Sequence, residues 1–81
     1  MTNELLANLA KIHTTKLGTI RICKNLSLNE EDIITWCKNQ IKSSKAIITR
    51  KGKNWYITVD NYLITINASS YTIITAHKLV N

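Results

Sequence analysis

The chain has 81 residues with 11 Lys and Arg against 5 Asp and Glu, a formal charge of +6. A polypeptide of this size buries only about 60 to 65% of its unfolded surface, so it builds one modest core and leaves no room for paired cofactor and substrate domains. Hydrophobic residues make up 44% of it, with two Gly and no Pro, which is too apolar and too uniform for a disordered tail.

From Asn3 to about His13, Leu5, Leu6, Leu9 and Ile12 recur at spacings of three and four. That is the stripe of an amphipathic helix, with Thr2 or Asn3 as its cap. Leu17-Gly18 reads as a bend before a shorter apolar segment holding Ile20, Ile22, Cys23 and Leu26, read as a second helix although Ile20-Arg21-Ile22 equally fits the alternation of a strand. Ser27 followed by Glu30 fits a capping box, and Glu30-Glu31-Asp32 place negative charge where a helix N-terminus favours it. The third helix carries Ile33, Ile34, Trp36, Cys37 and Ile41 and runs out in Lys38, Lys42 and Lys45.

After Lys45 the apolar period falls to two. Ala46 to Arg50, Trp55 to Asp60, Tyr62 to Asn67 and Tyr71 to Val80 are rich in Ile, Thr, Tyr and Val, the residues of pleated strands. The links Lys51-Gly52-Lys53, Asp60-Asn61 and Ala68-Ser69-Ser70 are of hairpin length, so the strands pair in chain order. A two-residue turn at Asp60-Asn61 sets Val59 opposite Tyr62, Ile57 opposite Ile64 and Trp55 opposite Ile66. A three-residue turn at Ala68 to Ser70 sets Ile66 opposite Thr72, Ile64 opposite Ile74 and Tyr62 opposite Ala76. The expected fold is α+β: two or three N-terminal helices packed on one face of a four-stranded antiparallel meander. It forms a single domain over residues 1–81, with helices in about 3–45 and the sheet in about 46–80.

The same registers place Arg50, Asn54, Tyr56, Thr58, Thr65, Asn67, Tyr71, Thr75 and His77 on the face away from the helices, beside Ile48, Leu63 and Ile73. Hydroxyls, amides, an imidazole and a guanidinium are the material of an RNA-binding or RNA-cleaving surface. Thr and Tyr are also ordinary strand formers, which is the plainer account of them. Lys38, Lys42, Lys45, Arg50, Lys51 and Lys53 form a block without an acid, followed by Trp55-Tyr56. Cations for phosphates with rings for stacking suit single-stranded nucleic acid, and Tyr56 and Tyr71 are the candidate rings because Trp55 points into the core. A Lys-rich surface from a biased genome would look similar.

Other chemistry finds little support. Cys23 and Cys37 lack a CxxC partner or clustered His, so no metal site is expected, and both thiols suit small core positions. No Gly-rich phosphate loop is present, and no cofactor is expected. Two Cys and an N-terminus without a basic start and apolar run fit a cytoplasmic protein, and no apolar run approaches membrane-spanning length.

His13-Thr14-Thr15-Lys16-Leu17-Gly18, Arg21-Ile22 with Asn25-Leu26, Trp36-Cys37-Lys38, Lys51 to Tyr56 and Ser70 to Lys78 resemble a family of small proteins from low-GC bacteria carried as a domain of unknown function. At the level of fold, helices before a meander with an Ile74-Thr75-Ala76-His77 ending are similar to the microbial ribonuclease and RelE-type toxin group. That resemblance implies metal-independent RNA cleavage, with His77 as acid or base, Arg50 on the phosphate and Thr75 positioning, and His13 as a further candidate. The chain departs from the group in having no residue pair at a spacing that marks such enzymes. The rival class is a protein-interaction module without activity. It would be an inhibitor of a nucleic-acid-handling complex from a mobile element, or a homodimer joined through Ile48, Leu63 and Ile73.

Overall fold

A computed structural model describes residues 4–26 and 32–79. The capping-box residues Ser27 and Glu30, the acidic Glu31, the candidate first caps Thr2 and Asn3, and Val80 lie outside them. The first helical stretch is broken in two: α1 spans Glu4–Ala7, and a single 3-10 turn follows at Leu9–Lys11. The break falls at Asn8, whose side-chain amide donates to the Glu4 carbonyl at 2.8 Å. An Asn that bonds to nearby backbone competes with the helix in this way.

Helix α2 spans Lys16–Leu26 and includes Gly18 rather than bending there. Thr15 starts it, its hydroxyl accepting from the Gly18 N–H at 2.9 Å. Glycine stands at 18 because a Cβ there would press on the Thr14 hydroxyl, which is engaged in donating to the Ile73 carbonyl at 3.2 Å. Helix α3 spans Ile33–Lys42 and is capped by Asp32, whose carboxylate accepts from the Thr35 N–H at 3.0 Å and the Thr35 hydroxyl at 2.6 Å.

Strands β1 (Ile47–Lys51), β2 (Asn54–Val59), β3 (Tyr62–Asn67) and β4 (Ile73–Lys78) form one antiparallel sheet in chain order. The expected α+β meander is therefore the fold. Val59 opposes Tyr62, Ile57 opposes Ile64 and Trp55 opposes Ile66, as the Asp60-Asn61 turn required.

The two other connections correct the expected registers. Gly52, at φ 61, takes the first position of a tighter loop in which Lys51 opposes Asn54, so the turn has two residues rather than three. A one-residue slip inverts a strand. Ile48 opposes the buried Ile57 and Arg50 opposes the buried Trp55, so both sit on the helix side, while Ile47 and Thr49 face outward beside Thr58 and Tyr56.

Between β3 and β4 the loop is one residue longer than expected. The Asn67 N–H bonds to the Thr72 carbonyl, leaving four residues between them, with Tyr71 at φ 61. The extra residue turns Ile73, not Ile74, toward the core opposite Ile66. A bulge at Ile74 then restores the alternation, so Thr75 opposes Thr65, Ile64 opposes Ala76, Leu63 opposes His77 and Tyr62 opposes Lys78. The pairings Ile64 with Ile74, Ile66 with Thr72 and Tyr62 with Ala76 are replaced. Ile73 is buried and Ile74 is exposed.

The inner face thus consists of the rows Val59, Tyr62, Lys78, then Ile48, Ile57, Ile64, Ala76, and Arg50, Trp55, Ile66, Ile73. The helical segment covers it with Leu5, Ile12, Ile22, Leu26, Ile33, Cys37 and Ile41. Helix α2 lies against β4, and Trp36 of α3 meets Tyr62 edge to face with centroids 5.2 Å apart. His13 forms a one-residue parallel bridge with Thr72, just before β4.

Candidate nucleic-acid interface

Because the strands alternate in direction, the β1–β2 turn and the β3–β4 loop lie at the same end of the sheet. The Ala68 N–H donates to the Lys53 carbonyl at 2.7 Å and ties the two together. Between them lies a cavity of about 570 Å³ lined by Arg50, Lys53, Asn67, Ala68 and Ser69. Its lining holds two cations and no carboxylate.

Local hydrogen bonds and ring contacts hold these walls in shape. Arg50 donates from Nε to the Gly52 carbonyl at 3.1 Å, and its guanidinium carbon stands 5.4 Å from the centre of the Trp55 ring. Trp55 packs on Tyr71 at 5.1 Å with the rings tilted by 47°, and Lys11 Nζ lies 5.5 Å from the Tyr71 ring centre. A cation, two rings and a second cation therefore run in sequence across this end, an arrangement that favours keeping the charges in place.

A left-handed backbone is a costly choice for a residue as bulky as Tyr71. It is held there by its N–H on the Asn67 carbonyl at 2.9 Å and its carbonyl on the His13 N–H at 3.1 Å. Asn67 Oδ1 accepts from the Ser69 N–H at 2.9 Å and the Ser70 N–H at 2.8 Å, building the loop from the inside.

His13 belongs to this framework. Its Nδ1 contacts the Lys11 carbonyl at 2.9 Å and its Nε2 the Thr72 hydroxyl at 3.1 Å. A carbonyl only accepts, so Nδ1 carries the proton and, in the neutral ring, Thr72 donates to Nε2. His77 sits five residues further along β4 than Thr72, about 16 Å away at strand rise, and its Nδ1 contacts the Lys78 carbonyl at 3.1 Å. The two imidazoles do not converge.

The outer face carries the row Ile47, Thr58, Leu63, His77 and the hydroxyl row Thr49, Tyr56, Thr65, Thr75. His77 and Thr75 are thus neighbours on one face, while Arg50 is on the other face and on the opposite edge strand. The three residues expected to act together are not brought together. Of the two candidate rings, Tyr56 lies on the outer face with its hydroxyl 3.4 Å from the Asn54 amide, and Tyr71 is engaged by Trp55 and Lys11 on the helix side.

The basic block divides as well. Lys38 and Lys42 are on α3 and Lys45 follows it, leading into the start of β1, where Ile47 opposes Thr58 near the Asp60 turn. Lys51 and Lys53 stand at the other end of β1, about 16 Å away over five residues. Lys11 and Ser69 are the additions that sequence reasoning missed, whereas Asn67 was expected on the sheet face and pairs with Asn54 there. Only the true loop length and the His13 bridge bring them to this end, and neither is written in a motif.

Burial by the surrounding apolar groups, with a smaller contribution from neighbouring Cys23, pushes the Cys37 thiol up to about 12, which suits a core residue and not a nucleophile. Among the described residues no cluster of three or more His, Cys, Asp or Glu is placed to hold a metal ion, and no helix is long and apolar enough to cross a membrane.

Fold and site together define a small basic α+β domain with four of its eleven Lys and Arg residues, Lys11, Arg50, Lys51 and Lys53, at one end of a meander sheet. Residues 6–77 match the family described as protein of unknown function (DUF3781), and the chain belongs to that family. No curated protein and no solved structure matches it, and the comparisons give the likeness to ribonuclease toxins no support.

Proposed function

We propose that this protein binds single-stranded RNA through the end of the sheet formed by Lys11, Arg50, Lys51 and Lys53. The observation that carries the reading is the carboxylate-free cavity between the two loops, with Arg50 and Lys53 in its walls. Arg50 offers a planar fork suited to phosphate oxygens and is steadied by Trp55. Asp60, in the β2–β3 turn, is at the far end of the sheet.

Cleavage is not part of the proposal. Metal-independent transfer through a 2′-hydroxyl needs a cation beside the acid or base to stabilise the charged phosphorane, and Arg50 faces away from His77.

The test is fluorescence anisotropy with a labelled single-stranded RNA at 50 and 200 mM salt. Three phosphate contacts give a slope of about −2 in the logarithms, so binding should weaken about 20-fold. Undetectable binding at the lower salt, or affinity indifferent to salt, overturns the reading.

One observation favours a second reading, that of a protein-interaction module. No described element covers the outer face, where Ile47 is 65% and Ile74 is 41% exposed and Leu63 is half-buried. The strip first expected from Ile48, Leu63 and Ile73 is replaced by this set, since Ile48 and Ile73 face the helices. Light scattering of the parent and an Ile47→Ser, Leu63→Ser double variant tests it: a mass that falls from dimer to monomer supports the reading, and a monomer in both counts against self-association.

A further inference from the structure

We infer that the cavity between the two loops is the seat of a phosphomonoester, so that the protein prefers an RNA whose end carries a terminal phosphate. This deepens the RNA-binding reading and rests on it. The argument begins with charge. An internal phosphodiester carries one negative charge, whereas a terminal phosphate carries −1.5 to −2 near neutral pH. Arg50 and Lys53 together supply two positive charges to one cavity with no carboxylate in its lining, which matches the monoester dianion and exceeds what a single diester needs.

Donor geometry points the same way. Asn67 Oδ1 is committed to the loop through the Ser69 and Ser70 N–H groups, so the end of its amide that is not engaged there is the Nδ2 donor. Ser69 also lines the cavity. Arg50, Lys53, Asn67 and Ser69 thus line one space, and their side chains are of the donor types that the three terminal oxygens of a phosphomonoester accept from.

Size is the third argument. About 570 Å³ of open space lies in the range of roughly 300 to 1,000 Å³ typical of small-ligand sites. The bond between the Ala68 N–H and the Lys53 carbonyl joins the two walls, as suits a seat for a chain end. Arg50 is held ready by Gly52 and Trp55, so little ordering is needed on binding.

The experiment compares one labelled RNA in three forms, with a 5′-phosphate, with a 3′-phosphate, or with hydroxyls at both ends. Each is titrated with the full chain at pH 7.5, where the terminal phosphate is a dianion. One phosphorylated form should bind about tenfold more tightly than the hydroxyl form, the scale of one added charge-assisted hydrogen bond, and which one does identifies the end that is held. Lys53→Gln should reduce that preference to about twofold. Lys51→Gln lies outside the cavity, with Lys51 opposite Asn54 on the outer face, and should weaken all three forms while keeping their ratio. If the three forms bind equally and with steep salt dependence, RNA binding stands and the terminal-phosphate inference falls. If none binds at low salt, both fall.

Discussion

The two faces of the sheet alternate along the same four strands, yet one is richest in Ile and the other in Thr, and they are under different constraints. On the inner face Ile57, Ile64, Ile66 and Ile73 are essentially without solvent contact. On the outer face Ile47 and Ile74 are exposed and Thr49 is open to solvent, while Thr65 alone is buried. Burial of apolar surface from both a helix layer and a sheet makes the inner face intolerant of any change in register. The outer face accepts whatever the inner one dictates. The functional candidates follow from that hierarchy: Arg50 is drawn to the helix side because the short Gly52 turn puts it opposite Trp55, and this converts an expected outer-face residue into a wall of the end cavity.

The largest expected effect separates the faces directly. Ile64→Ala removes a fully buried side chain and should lower unfolding free energy by about 2 to 5 kcal/mol, through lost transfer and the cavity left behind. Leu63→Ala, one residue away on the half-exposed outer side, should cost less than about 1.5 kcal/mol by the same accounting. Urea titration of both variants measures the contrast. Equal losses would mean that something covers the outer face as thoroughly as the helices cover the inner one.

A second prediction concerns how the helix layer is fastened to β4. Gly18→Ala should gain about 1 kcal/mol of helix propensity if α2 stood alone. In the folded protein the added methyl meets the Thr14 hydroxyl and displaces the bond from Thr14 to the Ile73 carbonyl. The expected net result is a loss of about 1 to 2 kcal/mol, read as a lower urea midpoint. Repeating the substitution in a Thr14→Ala background should turn the loss into no change or a gain, because the group that the methyl strikes is gone.

Legibility from sequence divides along the same lines. The three helical segments, the four strands and the Asp60-Asn61 turn were readable because period and β-branched content are local properties. What failed, besides the break at Asn8 and the helix that runs through Gly18, were two loop lengths, each wrong by one residue. Lys51-Gly52-Lys53 offered no means of telling a two-residue loop from a three-residue one. Ala68 to Tyr71 hid a left-handed Tyr, a conformation that sequence gives no reason to assign to a ring-bearing residue. The second error was compensated by the bulge at Ile74, so Thr75 and His77 still landed on the outer face as expected. The first had no compensation, and it carried Arg50 and Ile48 to the other side. The end cavity was illegible for the same reason, since it exists only when both loops have their true lengths.

The bulge supplies the third prediction. Removing one of the adjacent Ile73 and Ile74, which yields a single sequence whichever is deleted, would let Ile66 and Thr65 pair with consecutive residues. All other pairs of β3 and β4 are kept. If the bulge only corrects the parity of the strand, the variant should fold with a loss of about 1 kcal/mol from the missing contacts. A loss of about 4 kcal/mol or more would mean that the bulge shapes the Tyr71 loop itself. That outcome would also predict altered binding at the neighbouring cavity.

The smallest effects are expected on α3, where the contrast between inside and outside becomes one of pH. Asp32, wholly exposed, is held below the ordinary value of 3.8, first by the Thr35 hydroxyl and then by the Thr35 N–H. A carboxyl lowered on folding contributes stability that is present above 3.8 and is lost as pH falls through the lower folded value. The advantage of the parent over Asp32→Ala should therefore be complete at pH 7 and shrink in acid. Cys37, on the buried side of the same helix, is raised from 9.0 to about 12. An acid raised on folding contributes stability that is full below 9.0 and drains away as pH rises toward 12. A Cys37→Ala variant starts less stable at pH 7 because a core side chain has been trimmed, but it should lose less stability than the parent between pH 9 and 12. Thermal melts at matched ionic strength across both ranges, read as parent minus variant, isolate each group from the Lys and Tyr residues that also titrate in alkali. If the Asp32 difference were flat from pH 7 to 2, the cap bond to Thr35 would not be the source of the shift. If the Cys37 difference were flat above pH 9, the thiol would be reached by water and the inner side of α3 would be less closed than Ile33, Cys37 and Ile41 indicate.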